Sequence, residues 1–114
     1  MVAVDERIRR TVEQVYELLL QKKYSALEKL TGGVRLSAKE IEDAVKQYPH
    51  ALQFRPADAP IDIVEITNSS PRAWSIRADA YTAREGRSDL TLELTVIEDP
   101  SGVMRVELDD LHVL

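Results

Sequence analysis

The chain contains no cysteine, only two histidines, and few aromatic residues: one tryptophan, one phenylalanine and four tyrosines. Without cysteine it has no disulfide, no thiolate nucleophile and no sulfur ligand for a metal. No apolar run approaches the roughly 18 residues that a membrane-spanning helix needs, so we expect no membrane partner. The four glycines, at 32, 33, 86 and 102, all occupy turn positions, so no glycine-rich phosphate loop is expected. Stability must therefore come from packing.

Composition and charge restrict the class of protein further. The hydrophobic share is 44%, the charged share is 31% and the length is that of an ordinary domain, so we expect a single soluble domain over residues 1–114. The formal net charge of −5 disfavours nucleic acid as a partner, because phosphate binding needs clustered Lys and Arg. It suits a basic protein partner better. The first five residues lead directly into a charged helical pattern without the layout of a secretion signal, which predicts a cytoplasmic protein.

Three helices are predicted within about residues 5–48. Over Asp5–Gln21 the apolar residues recur every three or four positions, which places them on one face of a helix. A second, shorter helix is predicted to start at Ser25, which has capping-box spacing to Glu28. It should end at Gly32, because glycine accepts the left-handed backbone that follows a helix.

The third helix begins with the same signal. Ser37 and Glu40 have capping-box spacing, and a proline at the start of residues 49–60 closes the segment. That stretch contains three prolines and no periodic pattern, so we predict a loop from the helical layer to the sheet. Leu52 and Phe54 are expected to attach this loop to the core.

The second half of the chain, residues 61–114, shows the period of two that is typical of β-strands. Four strands are expected, at Ile61–Thr67, Ala73–Thr82, Leu90–Ile97 and Val103–Leu114. Short polar connections and no crossover helix separate them, so the strands must pair antiparallel. The predicted fold class is α+β, with one long and two short N-terminal helices packed on a curved four-stranded antiparallel sheet.

The alternation changes phase within the last strand. Even-numbered positions are apolar up to Leu108, whereas Leu111 and Val113 are odd-numbered. If both sets face the core, one extra residue must be absorbed at Asp109-Asp110, as in a β-bulge. Such a bulge would bend the sheet.

This order of elements resembles the cystatin-like and nuclear-transport-factor-like α+β cones. The closing segment, VELDDLHVL at 106–114, is similar to the ending of a family of small bacterial domains of unknown function. The resemblance implies a curved sheet wrapped around the first helix. It leaves function open, because cone folds serve as isomerases, dehydratases, ligand carriers, assembly modules and bacterial immunity proteins.

An acidic group on the sheet carries the leading functional hypothesis. Glu93, Glu107 and Asp109 are expected on the solvent side of adjacent strands, and Asp110 extends the set. One interpretation is cross-strand charge pairing on a wet sheet face, since Arg77 and Arg105 are expected among the acidic residues. The other is a docking surface for a basic protein. The function inferred is a small non-enzymatic cytoplasmic domain that binds another protein, with a bacterial immunity or accessory role as its most concrete form.

The alternative is a small-molecule carrier or an isomerase- or dehydratase-like enzyme. Trp74 begins an inward-facing set that shrinks to Ala78 and Ala80, which leaves room either for a pocket or for a closely packed helix. Asp110 and His112 lie two residues apart on a strand and would share a face, as a general-base pair requires. The bulge opposes this role, since it turns His112 outward together with Asp110.

No cofactor and no metal are expected from the sequence. The two histidines, His50 and His112, form no carboxylate–histidine set with ligand spacing along the chain. A homodimer is a third expectation, because exposed sheet faces in this architecture often pair.

Overall fold

The computed structural model describes residues 3–113. Over these residues three helices precede five strands: α1 Val4–Leu20, α2 Tyr24–Thr31, α3 Ala38–Gln47, β1 Leu52–Gln53, β2 Asp62–Glu65, β3 Ala73–Thr82, β4 Gly86–Glu98 and β5 Met104–Val113. The helices pack against an open antiparallel sheet. The predicted α+β class is therefore confirmed. None of the helices described is long and apolar enough to cross a membrane.

Helix α1 forms where the spacing of apolar residues predicts it. Its buried stripe is Ile8, Val12, Val15, Tyr16 and Leu19, none more than 4% exposed. Asp5 and Glu6 lie in the first turn, where the partial positive charge of the helix N-terminus favours carboxylates. The long first helix is confirmed to within one residue at each end.

Helix α2 begins differently from the prediction. Its N-cap is Lys23, which makes no side-chain capping bond, and Ser25 lies exposed inside the first turn. The Lys23 N–H donates to the Leu18 carbonyl at 2.9 Å, and this tight turn after α1 starts the helix one residue before the predicted cap. The predicted stop is confirmed: Gly32 is the C-cap, with φ of 76° in the left-handed region.

Helix α3 has the predicted capping box. The Glu40 N–H donates to Ser37 Oγ at 3.2 Å, and the Ser37 N–H donates to Glu40 Oε1 at 3.0 Å. The helix ends at Gln47, two residues before the proline, and buries Ile41 completely. Sequence signals at both ends of this helix were therefore reliable.

Strands β2, β3, β4 and β5 form the predicted antiparallel meander, to which β1 is added. The strand order is β1-β3-β4-β5, and β2 also pairs with β3, so β1 and β2 share one edge. The predicted loop at residues 49–60 therefore contains a strand, since Leu52 pairs with Thr82. Leu52 packs against the core as predicted, but Phe54 is 72% exposed. Arg55 attaches the loop instead, because its Nε donates to the Asp79 carbonyl at 2.8 Å.

The β-bulge is confirmed at the acidic pair. Glu93 pairs with Asp110 and Leu94 pairs with Leu108, which leaves Asp109 as the extra residue of β5. Leu108 and Leu111 are 2% and 6% exposed, so the change of phase keeps both in the core. Val113 is 56% exposed, contrary to expectation, because it borders a groove at the rim of the sheet. Leu114 lies outside the described residues.

The interior lies between the helices and one face of the sheet. Trp74, Ala78 and Ala80 are at most 3% exposed, and they belong to the same buried cluster as Val12 and Tyr16 of α1. The small residues of β3 therefore lie within a closely packed core. The opposite, outer face of the sheet is where the charged residues are found.

Candidate functional site

The strand register arranges the outer face in rows of side chains. One row runs across four strand positions and consists of Asp62, Arg77, Glu93 and Asp110. The next row holds Asp79, Thr91 and His112, and the row on the other side holds Val64, Ser75, Thr95 and Glu107. These residues come together only through strand pairing, because they span more than fifty positions of the chain.

The β3 side of the outer face is internally neutralised. Arg77 Nη2 lies 3.2 Å from Glu93 Oε1, and Arg87 Nε lies 2.5 Å from Asp79 Oδ2. Thr91 Oγ1 also donates to Asp79 Oδ1 at 2.9 Å. These salt bridges neutralise most of the positive charge on this part of the sheet. Because they are exposed, they add little stability.

The β4–β5 side is rich in carboxylates. Glu93 and Asp110 are directly opposite each other, an arrangement that is destabilising for like charges. Glu107 is paired with Thr95 in the register, and Thr95 Oγ1 donates to Asp109 Oδ2 at 2.6 Å. The four acidic residues singled out from the sequence thus occupy neighbouring positions on two strands.

His112 lies beside this acidic pair. Its Nε2 is 3.1 Å from Glu93 Oε2 and 3.9 Å from Asp110 Oδ2. The side chains of His112, Glu93 and Asp110 are 34%, 35% and 52% exposed, so solvent reaches all three. The bulge turns His112 outward with Asp110, as the phase argument expected.

The structure separates the residues of the alternative pocket. Trp74 is 3% exposed on the inner side of the sheet, whereas Asp110 and His112 lie on the outer side. His112 also borders a groove of about 500 Å³ between the end of α3 and β5, with Tyr48 and Leu111 among its neighbours. Asp110 and His112 therefore do not face the interior beside Trp74.

A second groove of about 500 Å³ lies between the end of α1, helix α3 and residues 49–52. It is bordered by Tyr24, Tyr48 and Leu52, and its volume is that of a small-molecule site. Burial raises the pKa of Tyr24 and of Tyr48. Three charged residues border it: Glu42 and Lys46, which pair with each other at 3.0 Å, and Lys22.

The cluster of Glu93, Asp110 and His112 is the feature that sequence reasoning missed. Spacing along the chain shows only Asp110 and His112 as neighbours, because Glu93 comes from the preceding strand. A signal did exist: the β4–β5 turn fixes the hairpin register, and one bulged residue brings Asp110 opposite Glu93.

The fold and this site define a small α+β domain with helices on one side of an open sheet and charged residues on the other. The chain belongs to the family described as Domain of unknown function (DUF7668), whose model matches residues 16–114. No curated protein and no solved structure shows significant similarity to the chain. The expected kinship with a family of domains of unknown function is confirmed, while the likeness to cone-fold families and the bacterial immunity role stay predictions.

Proposed function

We propose that the chain is a non-enzymatic protein-binding domain that recognises a basic partner through the outer face of β4 and β5. The observation that carries the proposal is the acidic set Glu93, Glu107, Asp109 and Asp110 on two neighbouring strands. Complementary charge of this kind increases association rates and selects partners more than it adds affinity. An immunity or accessory role in the cytoplasm is the most concrete form of this proposal.

The outer face also offers an apolar contact, on the far side of β3 from the acidic set. Val64, in the same row as Glu107, is 64% exposed on strand β2. Strands β3, β4 and β5 side by side over about ten residues, with the four residues of β2 beside them, correspond to a face of roughly 500 Å². A standard interface buries about 800 Å² per partner, so this surface suits a modest or transient complex.

The test uses a charge reversal on this face and a matched reversal elsewhere. Glu93→Lys with Glu107→Lys changes the acidic face, and Glu13→Lys with Glu17→Lys makes the same charge change on the exposed side of α1. Immobilised protein is presented with small basic proteins and with lysate of the source cells, in chelator and at two salt concentrations. We expect the association rate of a retained partner to fall at least tenfold for the first variant only.

Two results would contradict the proposal. Equal association rates for both variants would mean that total charge, rather than the outer face, governs binding. The proposed function itself would be contradicted if no basic partner is retained, even at an ionic strength where the Debye length is about 30 Å.

A small-molecule carrier is the second candidate, supported by the groove between α1, α3 and residues 49–52. It ranks second because Glu42 and Lys46 already neutralise each other there. Saturation-transfer NMR with a library of small aromatic acids tests this alternative, and a library without binders would end it.

A further inference from the structure

Three side-chain atoms of different residues converge on the outer face. Glu93, Asp110 and His112 each offer one ligand atom, and these three atoms lie within 4.8 Å of one another. The shortest of these separations is 3.1 Å, between Glu93 and His112. One imidazole nitrogen and two carboxylate oxygens form a donor set that suits a divalent transition metal.

Neighbouring groups hold the two carboxylates in this arrangement. Arg77 binds the other oxygen of Glu93, Oε1, at 3.2 Å. The Leu111 N–H donates to the other oxygen of Asp110, Oδ1, at 2.8 Å. Each carboxylate therefore keeps one oxygen fixed and directs the second toward His112, which is how outer groups orient metal ligands.

The bulge at Asp109 is what assembles the set. Without the extra residue, Asp110 and His112 would fall on the core side of β5. With it, two carboxylates stand directly opposite each other, and Arg77 and His112 oppose their mutual repulsion. A bound cation would lower that repulsion further.

We propose that Glu93, Asp110 and His112 form a divalent metal site whose preferred ion is zinc. Tetrahedral ligands at the zinc–nitrogen and zinc–oxygen distances of about 2.0–2.1 Å are about 3.3 Å apart. The separations from His112 Nε2, 3.1 and 3.9 Å, bracket that value, and all three ligand atoms lie within 4.8 Å of one another, so side-chain shifts of about 1–1.5 Å complete the geometry. The fourth position faces solvent. This site does not depend on the protein-binding proposal.

The first experiment is a calorimetric titration of zinc sulfate into tag-free protein that has been dialysed against a chelator. We expect one zinc per chain, with Kd on the order of 1–10 μM for three ligands on an open surface. His112→Ala and the double variant Glu93→Gln with Asp110→Asn should each weaken binding at least tenfold. His50→Ala removes the other histidine and should leave Kd unchanged. Millimolar Mg²⁺ should not compete, because magnesium disfavours the imidazole nitrogen.

A spectroscopic measurement makes the result independent of variant folding. In the wild-type protein, zinc should shift the NMR resonances of the His112 imidazole and leave those of the His50 imidazole in place. Absence of zinc binding, or equal loss of affinity in His112→Ala and His50→Ala, would overturn the proposal. Because the partner-binding test is run in chelator, failure of either proposal can be told from failure of the other.

Discussion

At the residue scale, Tyr16 joins three elements of the fold. Its ring is buried in α1, and its hydroxyl donates to the Gln53 carbonyl of β1 at 2.6 Å. The same oxygen accepts the Tyr81 N–H of β3 at 3.1 Å. Burial raises the pKa of Tyr16. One hydroxyl thus satisfies backbone groups of two strands at the place where β1 meets the sheet.

Removal of that hydroxyl should destabilise the protein. We expect Tyr16→Phe to lower the free energy of unfolding by about 1–2 kcal/mol, because it leaves a partly buried N–H and a carbonyl without their partner. Urea unfolding followed by circular dichroism measures the change. Tyr24→Phe is the control, since the Tyr24 hydroxyl makes none of the hydrogen bonds described for residues 3–113. Equal losses in both variants would contradict this role.

At the scale of the element, helix α3 depends on its capping box and α2 does not have one. Ser37→Ala removes the acceptor of the Glu40 N–H and should cost about 1 kcal/mol, a decrease of about 4 °C in Tm. Ser25→Ala makes the same chemical change inside the first turn of α2, where alanine is the better helix former, and should be close to neutral. Thermal unfolding of both variants compares them directly.

A clear loss of stability for Ser25→Ala would contradict Lys23 as the N-cap of α2. A loss of stability for Ser25→Ala as large as that for Ser37→Ala would mean that Ser25 caps α2 in solution. The comparison therefore tests the difference between a capping pattern and an actual cap.

Local signals predicted most of the elements, and non-local contacts explain the misses. The helix stops, the Ser37 cap and the bulge at Asp109 follow from neighbouring residues, so the sequence shows them. Strand β1 has only two residues, and it exists because Tyr81 and Thr82 of β3 offer partners. Phe54 is exposed for a related reason, since the side chain of Arg55 makes the attachment that an apolar contact was expected to make.

Part of the candidate site could also be predicted from local sequence signals, and the rest depends on non-local contacts. The acidic residues and the outward direction of Asp110 and His112 follow from strand periodicity and the phase change. Their convergence on Glu93 needs the register between two strands, which periodicity alone does not contain. Trp74 could not be assigned to a pocket or to the core without knowing how closely α1 packs.

At the scale of the whole molecule, stability should fall in acid. The pKa values of three carboxyl groups lie below their usual range, because hydrogen bonds favour the ionised form: in Glu65 from Arg72, in Glu85 from Tyr48 and in Asp99 from Ser101. A lowered folded-state pKa contributes stability above the unfolded-state pKa, and this contribution is lost as pH falls through the folded value. The loss should therefore begin near the ordinary carboxyl pKa of about 4.

The measurement is the free energy of unfolding in urea at pH values from 7 to about 2. Asp99→Ala should be less stable than the wild type at pH 7, and the difference should shrink as the pH falls below about 4. Glu13→Gln, on the exposed side of α1, is the control and should follow the wild-type curve. A difference for Asp99→Ala that is the same at all pH values would contradict the assignment.

The two edges of the sheet are unlike each other. On one side β3 is covered by β1 at residues 81–82 and by β2 at residues 74–77, and the side chain of Arg55 binds the Asp79 carbonyl in the gap. Those two covering strands have only two and four residues, whereas β5 presents an edge of ten residues that the bulge at Asp109 interrupts. A filament built by strand addition needs two usable edges on every copy. Within residues 3–113 only β5 offers an edge of that length, so strand addition between two copies would occupy the β5 edge of each and leave no comparable edge for a third.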